Sequence, residues 1–405
     1  MCNESSGLSL DFCSIQALIG SFLPESLSWL AFLFTAITLS FLVINALVLS
    51  TALYTWFERR TLGRFHARLG PNRWGPFGLF QPIADLLKLI SKEDLIPDQA
   101  DRLVFSIAPV VFLVPVLLVV SIVPFGGNSF LGRLNIGVLF IIAVTGLNTI
   151  AIFMGGWASR NKYAMLGAMR GVAMLVSYEI PMALAITGIV LTSGSLALTT
   201  IVNSQSVFFA LVQPIGFFVF FVASIAEMSR APFDQIEAES ELGSGYHTEY
   251  SGMKYAIFQL AEFMAPIVTA IIITTLYLGG TRGFDPIPGQ LWFVLKVFLV
   301  VFLMLWFRAT WPRLRIDQIM SFAWKALFGL ALFNLVLLTI EVQLLQDGEG
   351  KLHADDLWIM SAINWSVAVL VFVMVAVFKS LNRREVNAQV PSTRSTGLQL
   401  EDKQL

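Results

Sequence analysis

Residues 227–249 read EMSRAPFDQIEAESELGSGYHTE, which gathers Glu227, Asp234, Glu237, Glu239, Glu241 and Glu249 with only Arg230 in opposition. On a helix Glu237 and Glu241 would share a face, with Glu239 pointing elsewhere. Carboxyls this close cannot all ionise freely, so some are expected to hold a proton near neutral pH. Such a set can relay protons, and it can also couple to a charged ligand. Most charge runs are simply solvated loops. Here the flanking Ala231-Pro232-Phe233 and Gly243-Ser244-Gly245-Tyr246 carry the turn formers and aromatic residues of a packed, shaped loop.

Further charges fall inside apolar runs. Glu179 lies in Ser177-Tyr178-Glu179-Ile180-Pro181. Pro181 cannot donate to the carbonyl of residue 177 and crowds it, so a kink is expected there. A carboxyl in hydrocarbon must be neutral, paired or hydrated, and intramembrane acids are functional by default. Glu227 closes one apolar run and Glu262 lies early in the next, so both fall on the same side. Lys296 and Glu341 lie toward the other side, where snorkelling to the headgroups is the bland reading.

The elements that must position these groups are membrane helices. The chain has 405 residues, 56% apolar and 13% charged, with a mean hydropathy of +0.75. Soluble domains carry about a quarter charged residues. Apolar runs of about 20 residues recur, and a backbone in lipid must satisfy its own hydrogen bonds, so the expected class is an all-α polytopic membrane protein. Nine spans are expected, near 28–56, 103–123, 136–158, 171–193, 207–229, 256–278, 291–311, 322–345 and 356–378. They leave an outer segment 1–27, a transmembrane domain 28–378 with inner loops 57–102 and 230–255, and a polar tail 379–405 expected to be disordered. No internal repeat is visible, which argues against an inverted-repeat transporter.

Basic residues set the orientation. Of the 26 Lys and Arg, only Arg133, Arg282 and Lys351 fall on the outer side if the N-terminus is outside, and Lys296 lies within a span. The rest lie on or beside inner segments, which places the C-terminus inside. A net charge of −1 gives no reason to expect nucleic acid. His66, His247 and His353 lie outside the spans and Cys2 and Cys13 form no cluster motif, so no metal or redox cofactor is expected in this chain.

The first inner segment opens with ERRTLGRFHARL at 58–69. Leu62, Phe65 and Leu69 form one stripe, and Arg60, Arg64 and Arg68 form another. That pattern is an amphipathic helix in the inner interface. It serves either as a headgroup anchor or as the wall of a cavity that an amphipathic ligand could enter. Turns follow at Gly70-Pro71-Asn72 and Trp74-Gly75-Pro76. Beyond them lies a short apolar segment, where Asp85 and Lys88 are spaced to pair.

Several of these stretches carry a resemblance. Glu58-Arg59-Arg60, Arg68-Leu69-Gly70-Pro71-Asn72, the run from Gly75 to Asp85 and Lys92-Glu93-Asp94 resemble the first inner loop of the quinone-site membrane subunit of respiratory complex I. Ser177 to Pro181, Ala226-Glu227 through Arg230 to Asp234, Glu237 to Leu242, Tyr246 to Gly252 and Arg313 to Gln318 are similar to its other hallmark stretches, in colinear order. The resemblance implies a subunit of proton-pumping NADH:quinone oxidoreductase that performs no redox step alone. Its partners would be soluble quinone-site subunits and small membrane subunits, with flavin and iron–sulfur clusters on the partners. Quinone would occupy a chamber walled by Arg60, Arg64, Arg68, Phe233 and Asp234. Proton coupling would run through Glu179, Glu227, Glu237, Glu239, Glu241 and Glu249, to which the intramembrane position of Glu262 adds one more.

The ninth span and the tail depart from compact members of that family and point to a bacterial source, hence the inner (plasma) membrane. Met228 stands where relatives often carry an acid or polar residue, which lowers the local charge. Two rival readings use the same residues. A free-standing cation/proton antiporter could work through Glu179 and Lys296. A membrane subunit of an energy-converting hydrogenase would share the fold without a quinone.

Overall fold

The computed structural model describes residues 28–125, 134–236, 243–284, 286–346 and 353–389. Regular structure among the described residues is helical throughout. In chain order the helices are α1 Ser28–Phe65, α2 Gln81–Ser91, α3 Arg102–Ser121, α4 Gly137–Ala158, α5 Lys162–Ser193, α6 Leu198–Ser204, α7 Phe209–Val212, α8 Pro214–Glu227, α9 Gly252–Tyr277, α10 Gly289–Thr310, α11 Ile316–Leu345 and α12 Ala354–Gln389. Within α11 one π turn runs from Ala323 to Leu327. Eight of these helices are long and apolar enough to cross a membrane, and they account for eight of the nine expected spans.

The remaining span, expected at 207–229, is broken. Pro214 lacks the N–H that would continue α7, so the chain restarts a helix there with proline in its first turn. Neighbours take up the polar groups at the break, as hydrocarbon requires. Gln213 Nε2 donates to the carbonyl of Gly188 (3.2 Å) and to Thr192 Oγ1 (3.0 Å). Ser361 Oγ on α12 donates to the carbonyl of Leu211 (3.0 Å).

Two other expectations change. The amphipathic segment at 58–69 is not a separate helix: its first half continues α1 to Phe65. At 38 residues, α1 measures about 57 Å at 1.5 Å per residue, far more than the bilayer core, so its end projects beyond the bilayer. Helix α5 runs from Lys162 to Ser193 with Pro181 inside it. The last helix continues to Gln389, past the expected boundary at 378, and 390–405 lie outside the described residues.

The centre of the bundle is α5 and α9. Over their most apolar windows 56% and 61% of residues are buried, against 11% for α1 and 17% for α12. Small residues make the central contacts possible. A Cβ on Gly156 would lie 2.3 Å from Ala168 Cβ, one on Gly167 would lie 2.9 Å from Gly245 Cα, and one on Gly171 would meet Ile236 at 2.9 Å. Helix α5 thereby holds α4 on one side and the inner loop 230–255 on another. The outer faces of α1 and α12 present Phe41, Leu49, Phe372 and Met374, apolar surface that suits lipid or a neighbouring subunit.

Candidate functional site

The end of α1 and the turns after it build the first wall. Gly78 has φ +78, and a Cβ on it would fall 2.3 Å from the carbonyl oxygen of Pro71, so the two glycine–proline turns pack directly together. Phe77 is held at φ 58 and ψ 22, a conformation bulky residues rarely adopt. Its carbonyl accepts from Trp56 Nε1 and Arg60 Nη1, each at 3.0 Å. Its ring lies 4.9 Å from the Arg60 guanidinium. The loop is thus folded back onto the last turns of α1. Between them opens a groove of about 410 Å³ lined by Trp56, Phe57, Arg60, Thr61, Arg64 and Phe77. Arg64 is exposed on this groove; Arg68 is exposed on the loop beyond it. Asp85 pairs with Arg59 at 2.6 Å rather than with Lys88, because α2 packs against α1 and brings the carboxyl to it.

The two inner loops are joined. Ser251 Oγ accepts from the Leu95 amide (2.9 Å) and donates to the carbonyl of Glu93 (3.0 Å). Lys254 pairs with Asp94 at 2.9 Å. Gly252, at φ +57, lets the backbones approach: a Cβ there would lie 3.1 Å from the carbonyl oxygen of Lys92. Glu249 accepts from Asn161 Nδ2 at 2.6 Å and lines an open inner-face groove beside Arg160 and Lys162. The segment 230–236 is pinned to the last inner turn, where the Leu314 amide donates to the carbonyl of Pro232 (3.1 Å) and Gln235 Nε2 donates back to that of Leu314. Phe233 is 4% exposed and packs on Tyr178 at 5.3 Å between ring centroids, while Asp234 beside it is partly buried.

Beneath this lid lie the membrane carboxyls. Arg230 is buried, pairs with Glu262 of α9 at 3.3 Å and lies 4.7 Å over the ring of Phe263. His247 is also buried. Burial holds its imidazole below the ordinary value while Glu262 pulls the other way, so the ring is neutral at neutral pH. A cavity of about 40 Å³ lies below, bordered by Glu262, Tyr246, Ser229, Glu227 and Asn148. A second, of about 50 Å³, extends deeper past Glu227, Asn148, Ser224, Thr145 and Thr269. Glu227 therefore ends α8 on the border of both. Glu179 of α5 is close enough for its charge to interact with that of Glu227. Gly146 of α4 makes room for it, since a Cβ there would lie 3.0 Å from Glu179 Oε1.

Of the expected site residues, the structure brings Glu227 and Glu262 to these cavities and Arg60 and Arg64 to the groove, while Glu179 lies against Gly146 of α4 and on neither cavity lining. Glu237, Glu239 and Glu241 lie outside the described residues. The two charges expected to snorkel do not. Lys296 Nζ donates to the carbonyls of Leu278 (2.6 Å), Gly280 (3.1 Å) and Arg282, capping the C-terminal end of α9. This use of its donors leaves it a poor partner for Glu179 in an antiporter. Glu341 is 5% exposed because α12 covers it and supplies Asn364 Nδ2 at 2.8 Å. Among the described residues no three His, Cys, Asp or Glu are grouped to hold a metal ion.

Residues 38–339 match the NADH dehydrogenase family. The chain belongs to that family. It is 50% identical over 306 residues to the H-type subunit of NADH-quinone oxidoreductase from Dehalococcoides mccartyi, covering 76% of this chain and 86% of the relative. It is 45% identical over 325 residues to the corresponding protein of Bacillus cytotoxicus, covering 79% and 97%. It is 45% identical over 307 residues to one from Rhizobium meliloti, covering 73% and 94%. The family match spans α1 from residue 38 through α11 to residue 339, so every member of the carboxylate group lies inside it and α12 lies beyond it.

Sequence reasoning left out three groups that this family member places at the site. From the sequence, Arg230 has no role beyond a counter-charge to the loop, His247 has no site role, and Asn148 does not figure at all. Asn148 had a signal of a kind, as an amide inside an otherwise apolar run.

Proposed function

We propose that this chain is the membrane subunit of a proton-translocating NADH:quinone oxidoreductase. It walls the quinone chamber at the inner face and couples quinone reduction to proton movement through Glu262, Glu227 and Glu179. The observation that carries the reading is the pair of water-sized cavities beneath the inner loops, both bordered by Glu227 of α8 and one also by Glu262 of α9, with Glu179 of α5 within electrostatic reach of Glu227. The names of the relatives supply the reaction.

The chemistry follows from charge. Electrons come from a partner subunit bearing flavin and iron–sulfur clusters. Quinone reduction to quinol takes two electrons from the partner's clusters and two protons from groups around the chamber, so those proton donors are left more negative. Interacting carboxyls in a low dielectric respond to such a change by redistributing protons. The loop acids Glu237, Glu239 and Glu241, with Asp234 and Glu249, are the proposed connection between chamber and cavities. The groove beside Arg60 and Arg64 has a cationic edge and aromatic walls, which suits a flat amphipathic headgroup such as a quinone. The basic inner segments put the N-terminus outside and the C-terminus in the cytoplasm of a bacterial cell.

The reading is tested by Glu179→Gln in the assembled enzyme. Gln keeps the shape and cannot release a proton, so quinone reduction coupled to proton translocation should fall by about a hundredfold. Undiminished reduction and pumping would sink the role of Glu179. For the groove, Arg60→Ala removes a charged hydrogen-bond donor stacked on aromatic rings, and KM for a short-chain quinone should rise by about tenfold. An unaltered KM and rate would remove this wall from the chamber.

A further inference from the structure

Asn148 of α4 is polar, sits among the acids and cannot titrate. Its Oδ1 is buried and accepts no hydrogen bond from any described residue. It borders both internal cavities, and of the five residues common to the two linings only Asn148 and Glu227 carry polar side chains. A buried amide oxygen without a donor is destabilising, and the usual remedy in a polar cavity is water. The space suffices: cavities of about 40 and 50 Å³ each hold on the order of three waters, at roughly 10–15 Å³ apiece. The partners suffice too. The upper cavity offers Glu262, Tyr246 and Ser229, and the lower offers Ser224, Thr145 and Thr269.

We propose that Asn148 is a water-holding residue that joins the two cavities into one hydrogen-bonded path, running from Glu262 past Glu227 to the polar wall at Ser224 and Thr269. The inference rests on the coupling function above and adds a positioning residue to it. Asn148 moves no proton itself. Its oxygen fixes water between the two cavities, and an apolar side chain of similar volume would dry the junction.

The test uses the assembled enzyme. A high-resolution electron cryomicroscopy map should show water within hydrogen-bonding distance of Asn148 Oδ1, continuous into both cavities. In Asn148→Leu that density should vanish and proton translocation per electron should drop by about tenfold. Asn148→Ser, which leaves a hydroxyl and room for one more water, should restore most of it. If the map of the unaltered enzyme shows no water at Asn148, the proposal is wrong, whether or not the Leu variant assembles. If Asn148→Leu pumps normally while Glu227→Gln does not, the water junction is overturned and the carboxylate path survives. Normal pumping in Glu227→Gln would overturn both.

Discussion

Glu227→Gln should nearly abolish coupled proton translocation, with an expected loss of about a hundredfold relative to the unaltered enzyme, while the complex should assemble at its normal level. Three features make this the most damaging single change at the site. Glu227 is the only ionisable residue on both cavity linings. It stands within electrostatic reach of Glu179, so its protonation bears on that group as well. It also ends α8 next to the loop 230–255, where the proposed path would bring a proton in. The substitution preserves shape and removes a carboxyl whose burial is costly, so thermal stability should stay the same or rise. That sign separates a coupling role from a structural one, for which stability would fall. Glu227→Asp keeps the proton but withdraws it by one methylene, and it should retain part of the activity. The measurement is protons moved per quinone reduced in sealed vesicles, with thermal inactivation run in parallel. Wild-type pumping in the Gln variant would leave the convergence of carboxyls without a function.

The residue types are legible in the sequence and the pairings are not. Hydropathy locates all nine apolar stretches, the broken one included, because length and mean composition are local properties. The break at Gln213 escapes because a window average takes no account of one proline at the start of an apolar run. Glu179 and Glu262 stand out since a charge in hydrocarbon is conspicuous by itself. The partner of a charge is set by the packing of distant helices. Arg230 reads in the sequence as a counter-ion of its own loop, and its pairing with Glu262 of α9 is not visible there. Lys296 and Glu341 look free to reach the headgroups, whereas a helix end on one side and α12 on the other claim them. Phe233 is expected at the chamber by resemblance, and its side chain is packed on Tyr178. A wall residue of that kind would act through the shape of the loop.

The buried pair between Glu58 and Arg308 shows the same separation between type and partner, and it yields the second large expected effect. In the sequence Glu58 is only one letter of a motif at the end of α1. Its side chain is 4% exposed and contacts Arg308 Nη1 at the end of α10, itself 25% exposed. Glu58 Oε2 is buried with no further donor among the described residues. Arg308→Met strands that carboxylate without its cation, which costs roughly 3–5 kcal/mol for a buried pair. It should appear as reduced assembly and earlier thermal inactivation of the enzyme. The converse change is gentler: in Glu58→Met/Arg308→Met both charges leave together, and pairs replaced in this way are often neutral or more stable. Stability should therefore recover in the double variant. Because Arg60 and the groove lie on the same terminal turns of α1, quinone KM should shift in Arg308→Met and return with stability in the double variant. A double variant no more stable than Arg308→Met would mean that the arginine acts through contacts other than Glu58. The anchoring of the groove to α10 would then need another cause.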